Sequence, residues 1–183
     1  MILLDDRPIA SGLTRHPLPR PLLRNRVAAE YLSLRSPDAI PRRITLSVPG
    51  QASWERPWFV EYVEAQLNAL LQLAEGWDAR RGQPVELAAV RGSVAVLAAL
   101  MDETSAPPQV FPLSDGGLQI EWHIGGNDIE IEVDCDGEVH VLATTTSGET
   151  IAEGVVDADA GPALLASVRD FLRRLSMRLG TIR

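Results

Sequence analysis

Residues 109–145 alternate between apolar and polar side chains almost without a break, and this alternation constrains the fold more than any other feature of the chain. The run reads QVFPLSDGGLQIEWHIGGNDIEIEVDCDGEVHVLATT. A period of two is typical of half-buried antiparallel strands, because successive side chains of a strand point to opposite faces. Turn signals at Asp115-Gly116, 125–128 and Asp136-Gly137 divide the run into strands. The sequence therefore predicts an antiparallel meander.

The register follows from the rule that cross-strand partners share a face. We expect a tight turn at Asp115-Gly116, a four-residue loop at 125–128 and a three-residue loop at 135–137 with Gly137 left-handed. The predicted pairings are Phe111 with Ile120, Leu113 with Leu118, Trp122 with Ile131, Ile120 with Val133, Val133 with Val139, and Ile131 with Val141.

This register gives the sheet one apolar and one polar face. The predicted apolar face consists of Phe111, Leu113, Leu118, Ile120, Trp122, Ile124, Ile129, Ile131, Val133, Val139 and Val141. The predicted polar face, called the outer face below, carries Gln119, Glu121, His123, Glu130, Glu132, Asp134, Glu138 and His140. An apolar sheet face must be covered, so we expect helices to pack on it.

Apolar residues at helical spacing predict three helices, at about residues 55–76, 84–102 and 162–179, with the sheet at about 109–156. Ser53 or Pro57 is expected to start the first helix, and Gly76 is expected to end it. Thr150 to Val156 is a candidate fifth strand. The expected fold class is α+β, a four- to five-stranded antiparallel meander sheet with one face covered by two or three helices.

Residues 1–50 are expected to form a Pro/Arg-rich extension, and residues 51–183 the α+β domain. Seven prolines between positions 8 and 49 exclude long helices over most of the extension. Within it, residues 26–35 favour a short helix and residues 43–48 alternate like a strand. The extension either folds onto the acidic sheet or docks on a partner as a basic arm, and the sequence leaves both open.

Charge is segregated along the chain. All 17 basic residues are arginine, and the net charge is −8. Residues 1–50 hold eight arginines against four acids, while residues 102–159 hold fourteen acids and no arginine. The net charge argues against unspecific binding to nucleic acid or a membrane surface. The sequence has no long apolar run and no basic leader. We therefore expect neither a membrane span nor a signal peptide. A single cysteine, Cys135, favours a reducing cytoplasm.

The candidate binding residues of the outer face are Glu121, His123, Glu130, Glu132 and His140. Imidazoles among carboxylates are suited to hold a divalent metal or to perform acid–base chemistry. The competing interpretation is a solvated surface, since the exposed face of an antiparallel sheet is ordinarily polar. No spacing matches a metal motif, and no nucleophile–base pair or phosphate loop is present. We therefore expect no catalytic residue, no metal and no cofactor.

Trp77 and Asp78 form a second candidate site, in a Gly-Trp-Asp turn. The structural interpretation is that Trp77 folds back as a hydrophobic plug and Asp78 bonds the following turn. The functional interpretation is a binding anchor with a charge beside it. The structural interpretation is favoured, because turn residues of this kind usually serve the fold.

Two motifs, Gly76-Trp77-Asp78 and the hairpin 115–122 with the sequence DGGLQIEW, resemble those of a bacterial group. Its members are small, largely uncharacterised proteins with a GWD motif followed by a DGG-x-Q-x-EW β-hairpin, often in mobile or defence-related gene neighbourhoods. The similarity covers about residues 55–145. Many members have GWDG where this chain has Ala79, so a different turn is expected here. The resemblance implies a shared fold and no catalytic residue.

Together these patterns favour a non-catalytic protein-binding component of a bacterial complex, such as an antitoxin, an immunity protein or a defence-associated adaptor. Its partner would be another protein encoded nearby, bound through the acidic outer face and the basic arm, with no direct contact to nucleic acid or membrane. One alternative is a metal-dependent or acid–base enzyme that uses the Glu/His cluster. Another is an acidic DNA mimic that fills the nucleic-acid groove of a different protein.

Overall fold

The computed structural model describes residues 28–31, 43–47 and 57–180, which form three helices and two antiparallel sheets. In chain order the elements are β1 (Ala28–Tyr31), β2 (Ile44–Ser47), α1 (Trp58–Leu70), α2 (Leu87–Leu100), β3 (Gln109–Pro112), β4 (Leu118–Ile124), β5 (Asn127–Val133), β6 (Val139–Thr144), β7 (Thr150–Val155) and α3 (Gly161–Gly180).

The larger sheet is a five-stranded meander in the order β3-β4-β5-β6-β7. Helices α2 and α3 pack against each other and on one face of it, so the predicted α+β class and the fifth strand are confirmed. Nearly all of the residues predicted for the apolar face are buried. The predicted positions that are buried are Leu118, Ile120, Trp122, Ile124, Ile129, Ile131, Val133, Val139 and Val141.

The register prediction is confirmed for the last hairpin, where Val133 lies opposite Val139 and Gly137 has a φ of +92°. It is wrong by two residues for the middle hairpin. There Gly125 and Gly126 alone form the turn, with φ of +58° and +78°, and Trp122 lies opposite Ile129. Two consecutive left-handed glycines permit the tight turn whose twist matches the strands, so the longer loop is not needed.

The predicted register of the first hairpin is wrong by one residue, and the error assigns the β3 side chains to the wrong face of the sheet. Phe111 lies opposite Gln119 and is 42 % exposed, while Val110 lies opposite Ile120 and is buried. Leu113 belongs to the loop, and the Leu113 N–H donates to the Gly117 carbonyl at 3.0 Å. Because side chains alternate, adding one residue to the turn moves the whole strand to the opposite face.

The core is centred on Trp122 and on helix α2. Trp122 is 2 % exposed, and its indole N–H donates to the Ala106 carbonyl at 2.8 Å. Helix α2 is buried along most of its length and lies close to the sheet at Gly92, where a Cβ would come within 2.7 Å of Val133 Cγ1. Glycine costs about 1 kcal/mol in a helix interior, but here it allows the helix to approach the strands.

Helix α1 ends at Leu70, so the prediction that Gly76 ends it is wrong. Gly76 is instead the first residue of a loop that is closed by the hydrogen bond from the Gly76 N–H to the Gly82 carbonyl at 2.7 Å. Pro57 is the N-cap, as one predicted alternative had it, whereas Ser53 lies outside the described residues. Among the described helices, none combines the length and the apolar character that crossing a membrane requires.

Strands β1 and β2 form a small separate sheet beside α1. The predicted strand at 43–48 is confirmed over Ile44–Ser47, but the predicted helix at 26–35 is wrong, because residues 28–31 pair with β2. A helix-compatible sequence is overridden here by a strand partner that is already fixed on the core. Ile44 and Leu46 are buried against α1, so this part of the 1–50 extension is packed with the domain.

Polar side chains of α1 form hydrogen bonds with the backbone edges of two strands, β2 and β3. Asn68 accepts from the Ile44 N–H at 2.9 Å and donates to its carbonyl at 3.0 Å, and Glu64 accepts from the Leu46 N–H at 2.8 Å. Gln66 reaches the other way, accepting from the Val110 N–H of β3 at 3.3 Å. Helix α1 thus bridges the small sheet and the edge of the large one.

Candidate functional site

The outer face of the large sheet is the surface that no described helix covers. Its residues fall into cross-strand rows set by the register. One row runs from Gln109 through Glu121, Glu130 and Leu142 to Glu153, and the next from Phe111 through Gln119, Glu132 and His140 to Val155. The centre of the face is therefore acidic.

His123 is held between two carboxylates at one end of this face. Its Nδ1 lies 2.7 Å from Asp128 Oδ1 and its Nε2 lies 2.8 Å from Glu121 Oε2. The hydrogen bond to Asp128, and then that to Glu121, raises the pKa of His123 above its ordinary value of 6.5. Both ring nitrogens are donors when the imidazole is charged, so the arrangement matches an imidazolium.

His140 lies in a second cluster at the other end of the face. Its Nε2 is 3.0 Å from Glu138 Oε1 and 3.5 Å from Asp134 Oδ2. One potential ligand atom from each of Asp134, Glu138 and His140 lies within 4.8 Å of the others, close enough for the three to reach one metal ion. The cluster is largely exposed beside the β5–β6 turn, and carboxylates bonded to imidazole also occur on surfaces without an ion.

Between the two clusters lie carboxylates without a counter-charge. Glu121 and Glu130 are directly opposite each other, and Glu132 follows on the same face of β5. In the described part of the chain, the side chains of Glu130, Glu132 and Glu153 make no hydrogen bond and no ion pair. Like charges directly opposite on neighbouring strands destabilise a sheet. His123 offsets the charge of Glu121, whereas Glu130 and Glu132 have no counter-charge among the described residues.

The margins of the face are apolar. Phe111 on edge strand β3 and Val155 on edge strand β7 are 42 % and 39 % exposed. Leu142, on the interior strand β6 between Glu130 and Glu153, is 37 % exposed. Phe111 and Val155 terminate the same cross-strand row, with Glu132 between them. The surface thus has an acidic centre flanked by large exposed apolar side chains.

The structure divides the five predicted outer-face residues instead of bringing them together. His123 joins Glu121, His140 lies apart with Glu132 as its cross-strand neighbour, and Glu130 stands alone. Sequence reasoning missed the main partner of His123, Asp128, because the middle loop was assigned four residues. A two-residue Gly-Gly turn, which places His123 opposite Asp128, was the signal that would have found it.

Asp78 bonds the following turn, as the favoured interpretation expects, whereas Trp77 is only partly buried and is not part of the hydrophobic core. The Trp77 indole N–H donates to the Gln83 carbonyl at 3.0 Å. Asp78 Oδ1 accepts from the N–H groups of Arg80 and Gly82 at 2.8 Å each. The bond from Gly82, then that from Arg80, lowers the pKa of Asp78. The carboxylate thus holds the loop closed.

An open depression of about 590 Å³ lies beside this loop, where it meets the β3–β4 turn. Its lining residues are Asp78, Arg80, Arg81, Ser114 and Asp115. Asp78 already accepts from the backbone N–H groups of Arg80 and Gly82. Asp115 accepts from the Gly117 N–H at 2.9 Å. The depression therefore belongs to a turn–turn contact with its carboxylates engaged by the fold.

Cys135 is exposed in the β5–β6 turn. Partial desolvation, and then the charges of Asp115, Asp136 and Asp134, raise the pKa of its thiol. A raised pKa argues against a nucleophile, since the thiolate is the reactive form.

Comparison of the chain with protein-family models, with curated proteins and with solved structures gives no significant match.

Proposed function

We propose that the protein is a non-catalytic, protein-binding component of a bacterial complex in the cytoplasm, of the antitoxin, immunity or defence-adaptor kind. Its binding surface is the outer face, and its partner is a protein, encoded nearby, that presents arginine or lysine side chains bordered by apolar groups. The basic N-terminal part of the chain adds a second contact. The observation that carries the proposal is the pair of carboxylates, Glu130 and Glu132, that make no hydrogen bond or ion pair within the described residues, with Glu121 directly opposite Glu130.

A basic partner would offset the cost of that group. Carboxylates opposite one another repel in the free protein, and a guanidinium placed between them converts repulsion into charge-assisted hydrogen bonds. Charge complementarity of this kind acts mainly on the association rate and on partner choice. The apolar margins, Phe111 on one side and Val155 on the other, would supply buried area around the charged centre.

The dimensions of the face agree with this role. Five strands at about 4.8 Å spacing give a width of roughly 20 Å, and six to seven residues give a similar length. A standard interface buries about 800 Å² on each partner. The sheet therefore provides the central part of an interface, and neighbouring parts of the chain would complete it.

Charge reversal tests the proposal. Glu130→Arg with Glu132→Arg is expected to leave the fold intact, since neither side chain has a partner within the described chain, and to abolish retention of the partner that the wild-type protein retains. Glu75→Arg with Glu149→Arg is the matched control, because it makes the same charge change at exposed positions outside the rows of the face. Partners are compared by affinity purification with mass spectrometry, and folding by circular dichroism melts. Equal retention by both variants would refute the proposal.

Metal-dependent or acid–base chemistry is the second candidate, favoured by one observation, the cluster of Asp134, Glu138 and His140. A carboxylate–carboxylate–imidazole set is able to bind Zn²⁺. On this hypothesis, purified protein loaded with Zn²⁺ and dialysed would retain one equivalent, and His140→Ala would lose it. Retention that is equal in the two proteins, or absent from both, would remove this candidate.

An acidic DNA mimic is a special form of the leading proposal, in which the partner's basic surface is a nucleic-acid groove. It predicts that added duplex DNA displaces the protein from its partner in a salt-dependent manner. A complex that survives excess DNA would restrict the proposal to a partner whose basic surface is not a DNA site.

A further inference from the structure

We infer that copies of this chain associate head to tail, with the exposed side of helix α3 of one copy seated on the outer face of the next. The inference rests on the proposed function only in taking the outer face as a binding surface, and it requires no other protein. It goes further by giving a role to the exposed side of α3, which the proposed function does not use.

The exposed side of α3, called the arginine side below, is basic. Arg169, Arg173, Arg174 and Arg178 are all exposed, and Asp170 is the one acid among them. The stretch 169–178 therefore has a net charge of 4 − 1 = +3. The arginines form two pairs of residues four apart, which are neighbours on a helix surface, and like charges at this spacing destabilise a helix.

The fold leaves these guanidinium groups without hydrogen-bonded counter-charges. None of the four arginines makes a hydrogen bond or an ion pair in the described part of the chain. The Arg174 guanidinium lies over the Phe171 ring, 5.7 Å from its centre. Arg173 is near enough to Asp102 to interact with it electrostatically, without forming an ion pair. The arginine side thus resembles Glu130 and Glu132 with the opposite sign of charge.

The arginine side and the outer face lie on opposite sides of the molecule. The buried side of α3, which includes Val168, Leu172 and Leu175, packs in the core against α2 and the sheet. The arginine side therefore points away from the sheet, and the sheet itself separates it from Glu130 and Glu132. Because the arginines and these carboxylates are unable to pair within one chain, their pairing requires a second copy.

The two surfaces also match in size and in chemistry. Helix α3 has 20 residues and is roughly 30 Å long, and the five strands measure roughly 20 Å across, so the helix is able to lie over the whole face. A guanidinium binds a carboxylate with two parallel hydrogen bonds. Met177, exposed on the arginine side, and Phe111 and Val155 on the outer face would add apolar contact around the charges.

A contact between two different surfaces is heterologous, so it does not close at a dimer. Each added copy again presents one free outer face or one free arginine side. Single surface ion pairs are weak, and the association is therefore expected to depend on concentration. It is also expected to depend on salt, because exposed charges are screened beyond about 10 Å at 0.1 M ionic strength and beyond about 3 Å at 1 M.

Sedimentation equilibrium of the purified full-length protein tests the inference. At about 0.1 M ionic strength the average mass should exceed the 19.9 kDa of one chain and rise with concentration past that of a dimer, and at about 1 M it should return to one chain. Arg173→Glu with Arg174→Glu is expected to abolish the association. Arg80→Glu with Arg81→Glu is the matched control, because it reverses two adjacent exposed arginines outside α3 and should leave the association unchanged.

Mixing two non-associating variants identifies the surfaces that meet. Glu130→Arg with Glu132→Arg should also abolish association, since it removes the acidic side of the contact. The α3 variant keeps an intact outer face, and the outer-face variant keeps an intact arginine side. Their mixture therefore contains a native contact and is expected to associate, although neither variant does so alone, and this recovery also shows that both variants are folded.

Four results would overturn the inference. They are a wild-type protein that stays monomeric, a mass that stops at that of a dimer while the concentration rises, loss of association in the control variant, and a mixture of the two variants that stays monomeric. The second result would indicate one surface that pairs with itself, and the third would place the basic contact outside α3.

The same variants separate this inference from the proposed function. If the wild-type protein is monomeric, but Glu130→Arg with Glu132→Arg abolishes retention of the partner, the outer face binds a partner and the inference alone fails. If the wild-type protein and the mixture associate, but the outer-face variant retains the partner as well as its control does, the inference stands and the proposed function fails.

Discussion

At the residue scale, Ala79 is the clearest departure from local preference. Its φ is +60°, and it is the single non-glycine residue with positive φ in the described part of the chain. An L-residue with a Cβ pays roughly 1–2 kcal/mol in this region. The conformation persists because the loop is over-determined by the bonds of Gly76, Trp77 and Asp78. Glycine would be unstrained here.

Ala79→Gly is therefore expected to raise the free energy of unfolding by roughly 0.5–1 kcal/mol, the relief of strain less the greater freedom of glycine in the unfolded chain. Urea denaturation of the two proteins measures the difference. The control is Ala166→Gly in helix α3, which should lower stability by up to about 1 kcal/mol. A destabilised Ala79→Gly protein would contradict the strain at this position.

Individual residues were predictable where a single physical requirement dominates. Trp122 had to be buried because it lies in the middle of an alternating strand, and Asp78 had to bond its own turn. Phe111 was not predictable to the same degree. Its face depends on whether the turn that follows it has four residues or five, and Asp115-Gly116-Gly117 is compatible with both.

At the element scale, helix α1 holds β2 by polar contacts that usually belong to a neighbouring strand. Asn68 supplies both a donor and an acceptor to Ile44, as a paired strand residue would. The exposed face of α1 therefore has a structural role that its amphipathic pattern does not reveal. Only knowledge of where β2 lies distinguishes Asn68 from an ordinary surface residue.

Asn68→Ala is expected to destabilise the protein by about 1–3 kcal/mol, because Ile44 is fully buried and its N–H and carbonyl would lose their partner. Hydrogen exchange of the Ile44 amide should accelerate in the variant, and thermal melts should report the loss of stability. Glu61→Ala, on the exposed side of the same helix, is the control. Unchanged protection of the Ile44 amide would show that β2 does not depend on the Asn68 contact.

Sequence reasoning recovered the elements with a long periodic pattern, namely α2, α3 and β4 to β7, and also the short strand β2. It failed at β1, where four residues of neutral propensity become a strand only because β2 offers them a partner. It recovered the members of the outer face but not their grouping, since pairing of His123 with Asp128 requires a register correct to the residue. Contacts across the sheet follow from turn geometry, which the sequence specifies less sharply than periodicity.

At the scale of the whole molecule, the outer face gathers carboxylates such as Glu121, Glu130 and Glu132, and His123 on the same face has a raised pKa. Because the folded-state pKa lies above the ordinary 6.5, His123 binds its proton more tightly in the folded protein. Its contribution to stability is complete below pH of about 6.5 and is lost as the pH rises through the folded-state pKa. The side chain is half exposed, so the effect is modest.

The free energy of unfolding, measured against pH for wild type and for His123→Gln, should therefore converge toward high pH and differ most below pH of about 6.5. The titration of the His123 ring, followed by NMR, is expected to have its midpoint above 6.5 and to shift down in Asp128→Asn, which removes the larger of the two causes. A wild-type midpoint at or below the ordinary value would show that the two carboxylates do not stabilise the imidazolium.

The side chains of α1 also bear on how the protein avoids aggregation. Any strand edge with free donors and acceptors is a template for the strand edge of another molecule, and edge-to-edge growth of sheets begins there. Glu64 and Asn68 occupy the edge of β2, Gln66 occupies that of β3, and Pro112 removes a further donor from β3. Loss of α1 from its position would therefore expose two polymerisation-competent edges in one event, so partial unfolding of this single helix would decide whether the protein remains dispersed or precipitates.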